Sequence, residues 1–165
     1  MKQHLSLLMI TLFLVIVLPG CKEKTEPLFD IEVDAIKNEI NNAFELSADA
    51  ASKHDVETIM KFFLKDEDLV YAGNGVLIKG WSNLYEAVNS VHSDPKNQGF
   101  RIGFESVDIK VITRNAALVT GAGKLVDFPT EEGTVNKNLT VTFLFEKIDG
   151  QWVVTAGHES GDFSL

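Results

Sequence analysis

The sequence predicts an α+β domain in which about three N-terminal helices pack on one face of a curved antiparallel sheet. Three observations carry that prediction. Up to about residue 91, apolar residues recur every three or four positions, the period of a helix face. From Phe100 that period stops and strict alternation takes over, the period of a strand. The chain then closes on Gln151 to Ser160, a β-branched, apolar run entered through the turn pair Asp149-Gly150. With Asn138 to Lys147 before it, this run makes a hairpin suited to the middle of a sheet. Alternation puts Trp152, Val154, Ala156, His158 and Ser160 on one face of the last strand, and Val153, Thr155, Gly157 and Glu159 on the other.

The helices come first. From Asp30 to Lys53, Ile36, Ile40, Ala43, Phe44, Ser47 and Ala51 form one stripe. Asp30 suits an N-cap, and Glu32 and Asp34 favour the first turn. His54 reads as a surface turn residue. Asp55 can cap a second helix over Val56 to Leu64, with Val56, Ile59, Met60 and Phe63 inward. Asp66-Glu67-Asp68 is an acidic, solvated turn without the spacing of a calcium loop. Leu69 to Ala72 and Val76 to Lys79 form a small hairpin about Gly73-Asn74-Gly75. Ser82 caps a third helix that buries Leu84, Ala87, Val88 and Val91.

Strands follow. Val107, Ile109 and Val111 alternate with Ser106, Asp108 and Lys110. Ala116 to Phe128 is a long strand, and its Gly121 and Gly123 suggest a bend or a close approach. Asn138 to Lys147 carries Leu139, Val141, Phe143 and Phe145 on one face.

The first twenty residues stand outside this domain. Leu5 to Leu18 is apolar apart from Ser6 and Thr11, short for a span of about 20 residues and suited to a signal-peptide core. It ends in Leu18-Pro19-Gly20-Cys21, which resembles the bacterial lipobox. The resemblance implies cleavage before Cys21, its lipidation, and a membrane anchor of several acyl chains. The division is then a signal peptide over 1–20, a polar tether over 21–29 and a domain over 30–165. Cys21 is the only cysteine, so an internal disulfide is impossible. Similarity to lipoproteins of diderm bacteria, with no Asp after the Cys, implies the outer membrane, facing the periplasm or the surface. The net charge of −9 argues against nucleic acid, which wants a basic patch.

The domain resembles the nuclear transport factor 2-like superfamily, specifically its SnoaL-like members, from about Ile31 to Ser160. Four features carry the resemblance: His54-Asp55 between two helices; Tyr71-Ala72-Gly73-Asn74-Gly75 followed by Gly80; Ala117-Leu118-Val119-Thr120-Gly121; and Asp149-Gly150-Gln151-Trp152 followed by His158-Glu159-Ser160. The resemblance implies a cone, with the bent sheet wrapped around the helices and a pocket at the open end. It also implies a homodimer, as this fold often forms.

Family resemblance alone leaves function open. Ketosteroid isomerases of the family place a base in the loop that corresponds to Ala72-Gly73-Asn74-Gly75, which has no carboxylate. Their second acid falls near Thr120 to Ala122, again without one. The epoxide-hydrolase set needs an arginine among strands, whereas Arg101 and Arg114 lie by loops. No nucleophile elbow surrounds Ser160. His4, His54, His92 and His158 lie on separate elements, so neither a metal nor a cofactor is expected. The expected pocket is lined by Tyr71, Trp81, His158 and Ser160 and takes a small hydrophobic ligand. The expectation leans away from catalysis. An isomerase or dehydratase using His158, and a homodimeric association domain, are the alternatives.

Overall fold

The computed structural model describes residues 27–162. The signal peptide, Cys21, most of the tether and the last three residues lie outside them. The chain runs through α1 (Asp30–Ser52), α2 (Val56–Met60), β1 (Val70–Gly73), β2 (Val76–Lys79), α3 (Trp81–His92), a 3-10 turn (Pro95–Asn97), β3 (Arg101–Thr113), β4 (Ala116–Thr130), β5 (Gly133–Ile148) and β6 (Gln151–Gly161). One six-stranded sheet has the order β2-β1-β6-β5-β4-β3, so the β5–β6 hairpin is central as expected. The sheet is mixed rather than antiparallel, because β1 runs parallel to β6.

Local chemistry explains the helix ends. Glu32 reaches back to accept the Phe29 backbone N–H at 3.0 Å, so α1 is capped one residue before Asp30. Asp55 caps α2 as expected, accepting Thr58 N–H at 3.1 Å. That helix stops at Met60, four residues short of the expected end. The backbone beyond it bonds β6 instead: Val154 N–H donates to Phe62 O at 2.7 Å, and Leu64 N–H donates to Val154 O at 2.9 Å. These strand-like bonds use groups that a longer helix would need. At α3 the cap position is Gly80 at φ +79°, and Ser82 is already inside the helix. Leu84 is buried there, whereas Val91 is 46% exposed.

The core lies between α1 and the inner face of the sheet. Ile36, Ile40 and Phe44 meet Val119, Val141, Phe145, Trp152 and Val154, all buried. Trp152 also donates from Nε1 to Glu39 Oε2 at 2.7 Å, tying the start of β6 to α1. A second cluster of Val56, Met60, Leu69 and Leu84 joins α2 and α3 to the β1–β2 hairpin.

One irregularity in β6 decides what the inner face presents. Phe145 pairs with Val154 and Leu144 with Ala156, which leaves Thr155 as an extra residue. Such a bulge reverses the phase of all that follows. Trp152 and Val154 face the core, and beyond the bulge Gly157 and Glu159 do so. Ala156, His158 and Ser160 turn to the outer face. The expected grouping of His158 and Ser160 with Trp152 is therefore corrected. The bulge lies where the free edge of β6 changes partner, from Phe62 and Leu64 to β1.

Candidate functional site

The inner face of β6 meets the inner face of β1 around one polar pair. Tyr71 Oη donates to Glu159 Oε2 at 2.7 Å. Register places Tyr71 opposite Gly157 and Gly73 opposite Glu159. The Tyr71 ring lies on Gly157, where an added Cβ would come within 2.7 Å of it and 3.1 Å of the Phe143 ring. No residue with a side chain fits there without moving Tyr71.

Aromatic rings surround this pair. Phe63 stands 6.0 Å from Tyr71 and 6.3 Å from Phe143, and Tyr71 stands 6.5 Å from Phe143. The row continues from Phe143 to Phe44 at 6.2 Å and from Phe44 to Phe104 at 4.6 Å. A groove of about 360 Å³ between α1 and β3 opens onto Phe44 and Phe104, with Asn41, Glu45, Asp49 and Ser52 along its walls.

Electrostatics follow from that setting. Burial pushes the Tyr71 hydroxyl well above its ordinary range, and the neighbouring Glu159 charge pushes it further. Burial also raises Glu159. The hydrogen bond from Tyr71 and the nearby His158 act in the opposite direction. Glu159 is half-buried, and its second oxygen, Oε1, lies over Gly73 and accepts no hydrogen bond from a described residue. The pair thus offers one engaged and one available carboxylate oxygen within an apolar wall.

The sequence-expected residues are distributed differently. Tyr71 lies at this site. His158 is exposed on the outer face, opposite Thr142 in register. Ser160 is also exposed there, with Oγ 2.8 Å from Thr140 Oγ1. Trp81 packs beside the α2–α3 cluster that Tyr71 also touches. Its Nε1 donates to Met60 O at 3.2 Å, its ring stacks on Tyr85, and Lys65 Nζ lies 5.0 Å from the ring centroid. It lines a separate surface groove of about 650 Å³ with Lys65, Asp66, Glu67 and Lys79. Glu159, which strict alternation puts on the face opposite Trp152, instead lies at the site beside Tyr71.

A second polar cluster joins His54 and His92. Their Nδ1 atoms are 3.1 Å apart, and both rings pack against Phe100. His54 is half-buried at φ +56°, rather than a plain surface turn residue. Among the described residues no three His, Cys, Asp or Glu side chains gather as a metal site. Burial, and secondarily His54, lower His92 from 6.5 to about 4. Between those values the unfolded chain binds a proton that the folded chain refuses. Stability should therefore be full above pH 6.5 and fall as pH drops toward 4. Urea midpoints at pH 7 and pH 4.5 should differ less for His92→Asn than for the wild type. Equal differences would remove His92 as the cause.

Comparison with known proteins agrees with the geometry. The open, mixed six-stranded sheet packed on three helices has the nuclear transport factor 2-like fold. The model of the SnoaL-like domain family matches residues 40–163, and the chain belongs to that family. A nuclear transport factor 2-like protein of unknown function from Shewanella oneidensis is 24% identical, with a TM-score of 0.64 over 76% of this chain and 98% of that one. A superfamily protein from Salmonella enterica is 16% identical, with a TM-score of 0.70 over 81% and 95%. A hexachlorocyclohexane dehydrochlorinase from Novosphingobium barchaimii is 14% identical, with a TM-score of 0.69 over 82% and 92%. At these identities the likeness is one of fold. No curated protein sequence matches the chain.

Proposed function

We propose that this SnoaL-like domain binds a small, largely hydrophobic molecule against the Tyr71, Phe143 and Phe63 wall, with Glu159 as its polar anchor. One observation carries the reading: a half-buried carboxylate has one oxygen fixed by Tyr71 and the other available, amid aromatic rings. Ligand sites combine apolar walls with a few placed polar groups in this way. A thermal-shift screen of hydrophobic small molecules on the purified protein tests it. A ligand at 100 times its dissociation constant adds about 2.7 kcal/mol of stability. The shift should shrink in Glu159→Gln and persist in His158→Ala, since His158 is on the outer face. A screen without hits, or hits lost equally in both variants, would count against the site.

A catalytic reading is favoured by a different observation, the elevation of Glu159 by burial. A carboxylate tuned upward is a stronger general base, and elimination, the reaction class named in one structural relative, requires a base. Here the base would be Glu159 rather than His158. Turnover of a screening hit, abolished in Glu159→Gln and retained in His158→Ala, would establish it.

The anchoring part of the proposal rests on Leu18-Pro19-Gly20-Cys21. Lipid at Cys21 would hold the domain at the cell envelope, at the outer membrane of a diderm. Labelled fatty acid should enter the wild type and not Cys21→Ala. No label in the wild type would refute lipidation.

A further inference from the structure

We infer that the ligand of the Tyr71–Glu159 site has a neutral or cationic head that donates a hydrogen bond, an alcohol or an amine, and that carboxylate-headed amphiphiles are rejected. The inference rests on the reading of the cone interior as a ligand site and adds the chemistry of the head group.

The donor and acceptor inventory leads there. Glu159 Oε2 is already taken by Tyr71, whose only hydrogen is spent on that bond. What the pair still offers is acceptor capacity at Glu159 Oε1 and at the lone pairs of Tyr71 Oη. A ligand must therefore bring the hydrogen. Among the described residues no lysine, arginine or histidine makes a hydrogen bond or ion pair with Glu159. His158, which besides Tyr71 acts to lower the Glu159 pKa, is exposed on the other side of the sheet. Phe63 and Phe143, whose rings pack around Tyr71, cannot neutralise a second anion. Two like charges brought together in an apolar wall repel, and one would have to take up a proton. An ammonium instead supplies the missing counter-charge and can also lie against aromatic faces. An alcohol supplies the hydrogen without the charge. The fixed position of Tyr71 on Gly157 keeps the acceptor aimed.

Three ligands sharing one body separate the possibilities: 3-phenylpropylamine, 3-phenylpropan-1-ol and 3-phenylpropanoate. Their dissociation constants would be measured by titration calorimetry on the purified protein at pH 7.5. The amine should bind about tenfold or more tightly than the carboxylate, the size of one charge-assisted hydrogen bond. The alcohol should fall between them. Glu159→Gln should remove the amine's advantage over the alcohol. Carboxylate binding equal to or tighter than that of the amine overturns the inference while leaving the hydrophobic site intact. An amine advantage that survives Glu159→Gln also overturns it. If none of the three binds, the reading of the interior as a ligand site fails, and the inference fails with it.

Discussion

Trp152→Ala should lower the unfolding free energy by about 3–5 kcal/mol, the range for deleting a large aromatic from a core. Trp152 is 8% exposed and packs within the cluster that joins α1 to β4, β5 and β6. Its loss leaves a void between α1 and the sheet that rigid neighbours fill poorly. It also releases Glu39 from the 2.7 Å bond to Nε1, although Lys147 still holds that carboxylate at 2.8 Å. Hydrogen bonding is the smaller part. Trp152→Phe, which keeps most of the packing, should cost only about 1 kcal/mol. For Trp152→Ala the melting temperature should fall by about 10–20 °C. Denaturant unfolding of both variants separates the two contributions. A Trp152→Ala protein as stable as the wild type would contradict the central place of β6 in the core.

Much of this core was legible because it depends on period alone. The α1 stripe of Ile36, Ile40 and Phe44 is buried as its spacing predicts. The alternating Leu139, Val141 and Phe145 of β5 are buried likewise. The site was less legible because the inner-face assignment at His158 and Glu159 depends on an unbroken count from Trp152, and Thr155 breaks it. Thr155 sits in a β-branched run and carries no residue-type mark of a bulge. Its Oγ1 is buried without a described partner, a cost visible only in three dimensions. The one sequence signal was Gly157, a glycine inside a strand, which marks the close approach of Tyr71. The direction of β1 was also hidden. Its four residues show strand character, but whether they run parallel to β6 is set by how α2 and the following segment cross the sheet. The early end of α2 has the same origin, since Val154 draws the backbone of Phe62 and Leu64 into strand-like bonds.

Gly123→Ala should be the most damaging small substitution in the sheet. A Cβ there would lie 2.1 Å from Gly103 O and 2.7 Å from Phe104 Cα. Both are backbone atoms of β3, so no rotamer change relieves the contact, and the strand itself must move. The cost should reach about 3 kcal/mol or more, at or beyond the upper end for overpacking. The close approach belongs to the bend of the sheet. Gly123 pairs with Phe104, and the next pair is displaced by a bulge between Phe104 and Ser106. Through that bend the Phe104 ring comes over Gly121 and to 4.6 Å from Phe44, closing the far end of the aromatic row that reaches Tyr71. Straightening β3 therefore opens the interior as well as straining the ladder. Gly103→Ala is the control. An added Cβ at that position meets nothing within 4 Å, and the change should stay within about 0.5 kcal/mol. Denaturant midpoints of the two variants should thus diverge widely, although both replace a hydrogen by a methyl group on adjoining strands. Similar midpoints for the two would show that β3 does not press on Gly123, and the bend would need another cause.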